Sequence, residues 1–173
     1  MKQISWWSLL ILLSLNHPLQ AVEQLKGKLV LTGSSTIAPL ALELGKRFEK
    51  LHPGVRVDVQ SGGSSRGVSD ARQGLADIGL VSRSLHPEES DLVNQTLALD
   101  GVAVILNRSN PVASLSKEQL YQIYSGKITN WKKLGGKDSP IVVVNKAAGR
   151  STLELFASYL KIKDTDIKAQ IVI

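Results

Sequence analysis

The sequence contains no cysteine, which closes off disulfides, thiolate zinc sites, a cysteine nucleophile and a lipid-accepting N-terminal cysteine. Histidine is scarce: His17, His52 and His86 are scattered, without the spacing of metal ligands, which argues against a histidine metal centre. No glycine-rich loop ends in Gly-Lys-Ser or Gly-Lys-Thr, so a nucleotide P-loop is excluded. Basic residues outnumber acidic ones, 21 to 15, but they are dispersed, with no basic stripe interleaved with aromatics. The net charge of +6 therefore makes a poor case for nucleic acid. What remains is ordinary globular material. At 43% apolar and 21% charged residues, the composition excludes disorder, collagen and coiled coil, and 173 residues suffice for one domain or two small lobes.

The first 21 residues read as a leader. Lys2 supplies a positive charge, Ile4 to Leu15 form an uncharged apolar run, and Asn16-His17-Pro18 breaks it before Leu19-Gln20-Ala21. The run has the length of a secretory core and falls short of the roughly 20 residues that span a bilayer. The expectation is cleavage after Ala21 and an exported, soluble chain from Val22, without a lipid anchor, in the periplasm of a Gram-negative cell. The alternative is an uncleaved membrane anchor.

Beyond the leader, strand and helix patterns alternate. Leu29-Val30-Leu31-Thr32 predicts a buried strand ending at Gly33, and Leu40, Leu44, Phe48 and Leu51 recur at helical spacing until His52-Pro53-Gly54. Val55 to Gln60 alternates strictly, as a strand does, and residues 62–67 read as a loop opening a short helix through Val68 and Ala71. Asp77 to Val81, Gly101 to Asn107, Ile141 to Asn145 and Ile171 to Ile173 are further expected strands. Pro87 opens a helical turn. Ser116 with Gln119 and Ser151 with Glu154 read as capping boxes for two more helices. This rhythm predicts an α/β fold with a mostly parallel sheet.

Three strand-to-helix loops share one chemistry: Gly33-Ser34-Ser35-Thr36, Gly62 to Gly67, and Ala148 to Thr152. Small residues let backbone approach a ligand, hydroxyls donate, and a helix start presents unpaired N–H groups. Ser82-Arg83-Ser84, after the strand at Val81, could add a hydroxyl or a guanidinium. Ordinary N-capping explains any one such loop. Recurrence at the strand ends, where α/β folds bind ligands, instead points to a small oxyanion.

The sequence resembles the phosphate-binding proteins of phosphate-specific ABC transporters, a type II periplasmic binding protein family. The likeness runs from residue 28 to 173 on TGSSTIAPL (32–40), SGGSSRGVSDARQGLADIGLVSR (61–83), GVAVILN (101–107), LSKEQLYQIYSGKITNW (115–131) and AAGRSTLELF (147–156). It implies two α/β lobes closing on one inorganic phosphate, with no metal, no cofactor and no catalysis, and delivery to a membrane permease. The implied organisation is a signal peptide at 1–21, a first lobe at 22–100, a crossing strand at 101–107 and an incomplete second lobe at 108–173. By position, the implied ligands are Ser35, the Thr36 hydroxyl and the Ile37 backbone N–H from the first loop and Ser64 from the second. Ser82 and Arg83 follow the third strand, and Lys146, Arg150, Ser151 and Thr152 complete the set.

The sequence departs from the family pattern in three ways. Ser82 stands where many members have an aspartate that accepts the proton of bound phosphate, which implies weaker discrimination against sulfate. Lys146 stands where an arginine is usual, and lysine is a point charge without a planar fork; Arg150 is the substitute. The chain also stops where the family normally continues, so a fragment, a shortened reading frame or a short paralogue is expected. Two rival readings stand beside this. One is an exported domain of the same kind without a transport role. The other is a serine hydrolase using Gly63-Ser64-Ser65-Arg66-Gly67, for which His86 would have to serve as the base.

Overall fold

The computed structural model describes residues 25–173. The expected leader and its cleavage site lie outside the described residues. Three parallel strands come first: β1 (Lys26–Gly33), β2 (Gly54–Ser61) and β3 (Ile78–Leu80), in the order β2-β1-β3. α1 (Ala38–Leu51) connects β1 to β2 and packs on β2, while α2 (Ser64–Arg72) connects β2 to β3 and packs on β1 and β3. Going out to β2 and returning past β1 is the opening of a doubly wound sheet, whose ligands bind beyond the C-terminal strand ends.

α1 meets the sheet through its small residues. Ala38, Ala41 and Gly45 are buried, and a Cβ at Gly45 would stand 2.8 Å from a Val57 methyl. Leu40, Leu44 and Leu51 face outward, at 47%, 49% and 75% exposure. The helical period was therefore the right signal, but the side that carries it is not the side that docks. Close approach of helix to strand needs the smaller face.

The remainder is built on α3 (Lys117–Tyr124), β4 (Val144–Asn145), α4 (Ser151–Leu160) and β5 (Ile171–Val172), with β4 and β5 parallel. Its cores are Leu153, Phe156, Ala157, Leu160 and Ile162, and, separately, Ile123, Ile141 and Val143. Tyr124 packs against Phe156 in a tilted arrangement, with ring centroids 4.5 Å apart and planes at 60°. The Ser116 capping box forms as expected, with Ser116 Oγ accepting from the Gln119 N–H at 3.1 Å and Gln119 returning a 2.8 Å bond.

Two strand expectations need correction. Residues 101–107 form no strand, and Val104 and Ile105 stand 41% and 88% exposed. β-branched sequence favours extension, but a strand exists only where a neighbour takes its backbone bonds, and no described strand lies alongside. Of the run 141–145, only Val144–Asn145 joins a ladder; Ile141 and Val143 are buried by core packing instead.

Candidate anion-binding site

The site begins where backbone passes unusually close to backbone. Gly33 ends β1 at φ +132°, and a Cβ there would lie 2.2 Å from the Leu80 carbonyl oxygen. Gly67 in α2 meets the Leu80 and Thr32 carbonyl oxygens, each 2.8 Å from where its Cβ would be. These glycines let α2 settle onto β1 and β3, which brings its first turn beside the end of β1. The Gly62 and Gly63 N–H groups both donate to the Gly33 carbonyl, at 2.7 and 2.9 Å, and the Ser34 N–H donates to the Leu80 carbonyl at 2.7 Å.

A run of hydroxyls crosses the resulting crevice. Ser34 Oγ donates to Ser82 Oγ at 2.8 Å, the Ser82 N–H donates to Ser64 Oγ at 3.1 Å, and Ser151 Oγ donates to Ser64 Oγ. Ser34, Ser64 and Ser151 are all buried. Beside them lies a cavity of about 20 Å³. Ser34, Ser35 and Thr36 wall it on one side, and Gly63, Ser64 and Ser82 on another. Lys146, Arg150, Ser151 and Thr152 close the third. A single water needs roughly 10–15 Å³ of such space, so the cavity suits a small ion and no larger organic ligand.

The electrostatics of the cavity have one sign. The starts of α1, α2 and α4 converge on it, each bringing the positive end of a helix. The N–H groups of Ser35, Ile37, Ser64, Ser151 and Thr152 have no acceptor among the described residues. Lys146 and Arg150 make no ion pair among the described residues, and no carboxylate lines the cavity. An anion with several acceptor oxygens would answer those of these groups that line the cavity. A larger open groove of about 480 Å³, walled by Lys117, Glu118, Tyr121, Leu160 and Lys161, has no such convergence of helix starts.

Of the residues expected from sequence, the cavity gathers Ser35, Thr36, Ser64, Ser82, Lys146, Arg150, Ser151 and Thr152. Ile37 is not on its wall; it caps α1, with its N–H unpaired. Arg83 is a correction. Its side chain is 4% exposed and turns away from the cavity, donating to Glu89 Oε2 and Oε1 at 2.7 and 2.9 Å and lying 2.5 Å from Glu154 Oε2. The guanidinium expected to hold an anion is taken by two carboxylates instead. The Arg83 hydrogen bonds hold the Glu89 carboxyl down at about 2 against the opposing effect of its burial.

The second expected capping box is a correction too. Arg150, not Ser151, is the N-cap of α4, with no side-chain cap bond. Ser151 reaches Ser64, and Glu154 accepts from Ser65 Oγ at 3.1 Å. Residues 64–67, expected in a loop, are the first turn of α2. Sequence reasoning missed Glu154 as a bridging residue, although Ser151 and Glu154 stand three apart and so share one helix face. Nor is a hydrolase triad assembled. Ser65 is bonded to Glu154, and His86 Nε2 lies 3.5 Å from that same carboxylate, so the candidate base does not receive the hydroxyl proton.

A family model described as a PBP superfamily domain matches residues 20–172. The phosphate-binding protein PstS of Bacillus subtilis is 36% identical over 143 residues, 79% of this chain and 47% of that protein. PstS 2 of Streptococcus pneumoniae serotype 4 is 40% identical over 113 residues, 65% of this chain and 39% of that protein. A phosphate ABC transporter substrate-binding protein from Clostridium perfringens, solved with bound phosphate, superposes with TM-score 0.78 at 36% identity, over 84% of this chain and 61% of its own. An ABC-type phosphate transport receptor from Vibrio cholerae gives 0.68 at 38%, over 84% and 62%. The chain thus spans about half the length of the curated relatives it matches.

Proposed function

The chain belongs to the PBP superfamily, with the α/β architecture of type II periplasmic binding proteins present in part, and from this we propose that it captures inorganic phosphate for an ABC importer. One observation carries the reading: a cavity of about 20 Å³ is walled by hydroxyls, unpaired helix-start amides, Lys146 and Arg150, with no carboxylate. That donor set suits a small oxyanion. The relatives are named for phosphate binding and phosphate transport, which supports the ligand.

In this reading Thr36, Ser64, Ser151 and Thr152 donate hydroxyl bonds, Ser35 and Ile37 offer backbone N–H groups, and Lys146 with Arg150 balances the charge. Ser82 completes the wall without repelling the ligand, and Arg83 organises carboxylates behind it. Residues 22–100 and 108–173 act as the two lobes, 101–107 as the crossing between them. The chain works outside the cytoplasm after loss of residues 1–21, hands its ion to a membrane permease and catalyses nothing. The test is isothermal calorimetry of the protein, expressed from its full sequence, against inorganic phosphate. Saturable 1:1 binding upholds the reading; no heat and no change in Trp131 fluorescence at millimolar phosphate overturns it.

A further inference from the structure

The cavity has three walls, and the third comes from a distant stretch of chain. α4 brings Arg150, Ser151 and Thr152 to a crevice otherwise made by residues 34–36, 63–64 and 82. Direct contact between α2 and α4 across the cavity edge is slight: the Ser151–Ser64 hydroxyl bond and a 3.3 Å bond from the Ser65 N–H to the Gly149 carbonyl. A further connection runs just behind them. Glu154 accepts from Ser65 Oγ at 3.1 Å through one oxygen, and its other oxygen lies 2.5 Å from the Arg83 guanidinium.

Arg83 is itself held. Glu89 takes it in a two-bond fork, and the Ser84 carbonyl accepts from it at 3.0 Å. With its side chain 4% exposed, the guanidinium cannot swing to another partner, so Glu154 docks on a rigid, pre-oriented cation. Glu154 is 21% exposed, shielded enough for the attraction to escape most solvent screening. Arg83 also cancels a carboxylate that would otherwise stand one helical turn behind Ser151 and repel an incoming anion.

We infer that Glu154 is a positioning residue. It clamps the first turn of α4 to α2 and to the chain after β3, so that the Arg150–Thr152 wall stays on the anion cavity. This rests on the phosphate reading above for its effect on affinity, but not for the clamp itself. Glu154 does not touch the ion. Its loss should let the third wall withdraw and shorten the residence of the ligand, while the intrinsic chemistry of the cavity is unchanged.

The experiment compares wild type, Glu154→Gln and Ile162→Val for phosphate Kd, phosphate dissociation rate, Tm and hydrogen exchange of peptides covering 63–72 and 149–160. Glu154→Gln should raise Kd about tenfold, chiefly through faster dissociation. Both peptides should lose protection in that variant without phosphate. Ile162→Val loosens the core of α4 away from the clamp; it should lower Tm and leave Kd unchanged. Equal phosphate affinity in wild type and Glu154→Gln overturns the inference, as does weakened binding in Ile162→Val in proportion to its loss of Tm. If wild type fails to bind phosphate, the functional reading falls. The clamp is then judged by exchange alone, and unchanged protection in Glu154→Gln overturns it.

Discussion

The hydroxyl of Ser151 donates to the hydroxyl of Ser64, 87 positions earlier in the chain, and both side chains are buried. Each residue opens a helix, at the end where backbone N–H groups lack partners. Two helix starts thus meet through their side chains and leave their backbone donors free for a ligand. Serine suits this role, since its hydroxyl both donates and accepts and can turn from its neighbour toward an arriving oxyanion.

Removing single hydroxyls should weaken binding measurably. Thr36→Ala and Ser64→Ala should each reduce phosphate affinity by roughly 1.5–3 kcal/mol, the usual range for a hydrogen bond to a charged group. His86→Ala should change it little, because His86 stands outside the cavity wall. Calorimetric titration of the three variants gives the ranking directly. The reverse order, with ester hydrolysis abolished by Ser65→Ala, would restore the hydrolase reading.

Sulfate should compete. Phosphate near neutral pH keeps a proton on much of its population and sulfate keeps none. A carboxylate in the wall would repel a fully ionised anion by about 4 kcal/mol for each unit of its charge at 4 Å and an effective dielectric of 20. This wall has Ser82 and no carboxylate, together with two cations. The expected result is measurable displacement of phosphate by excess sulfate, and tighter phosphate binding at pH 8 than at pH 6 as the dianion grows. Complete indifference to sulfate, with equal phosphate affinity at both pH values, would refute this.

Acid should strip stability through Glu89. Its carboxyl is held down at about 2, from an ordinary 4.5, first by the hydrogen bonds from Arg83. A lowered folded-state value stabilises the protein fully above pH 4.5, and that contribution disappears as pH falls toward 2. Asp58, Asp91 and Asp138 are lowered too, but sit in solvent-screened surface pairs that contribute little. Thermal melts from pH 6 to pH 2.5 should therefore show a steeper fall in Tm for wild type than for Glu89→Gln across that window. Parallel curves would locate the acid sensitivity elsewhere.

Gly67→Ala should damage stability and binding together. Its new methyl would press on two backbone carbonyls that cannot move aside, at 2.8 Å each, and push α2 off β1 and β3. Overpacking of this kind costs about 1–3 kcal/mol. Urea unfolding should reveal that loss, and phosphate affinity should fall because Ser64 rides on the displaced helix. A variant with wild-type stability and affinity would mean that the contact relaxes freely.

Much of this was legible in the residues. Alternation along Val55 to Gln60 predicted β2, the Ser116–Gln119 pair predicted the start of α3, and the Gly-Ser-Thr loops predicted where donors would gather. These readings succeed because their causes are local: side-chain period, turn chemistry and capping act over a few residues. Most of the misreadings have the opposite cause, partners from distant chain. Ser151 and Glu154 have the spacing of a capping box, but partners 87 and 89 positions away took both side chains. Arg83 had the right place for a ligand contact until Glu89 and Glu154 claimed it.

Composition and pattern alone therefore determined the α/β class, the parallel strands and the gathering of hydroxyl and amide donors at the strand ends. Tertiary structure alone decided which face of α1 docks, that residues 101–107 pair with no described strand, and which hydroxyls and charges meet. A strand requires a neighbour, and a buried ion pair requires its counterion. Residues 101–107 find no such neighbour among the described residues, and Glu154 reaches Arg83 only because a distant helix folds back, a distance over which local propensity carries no information.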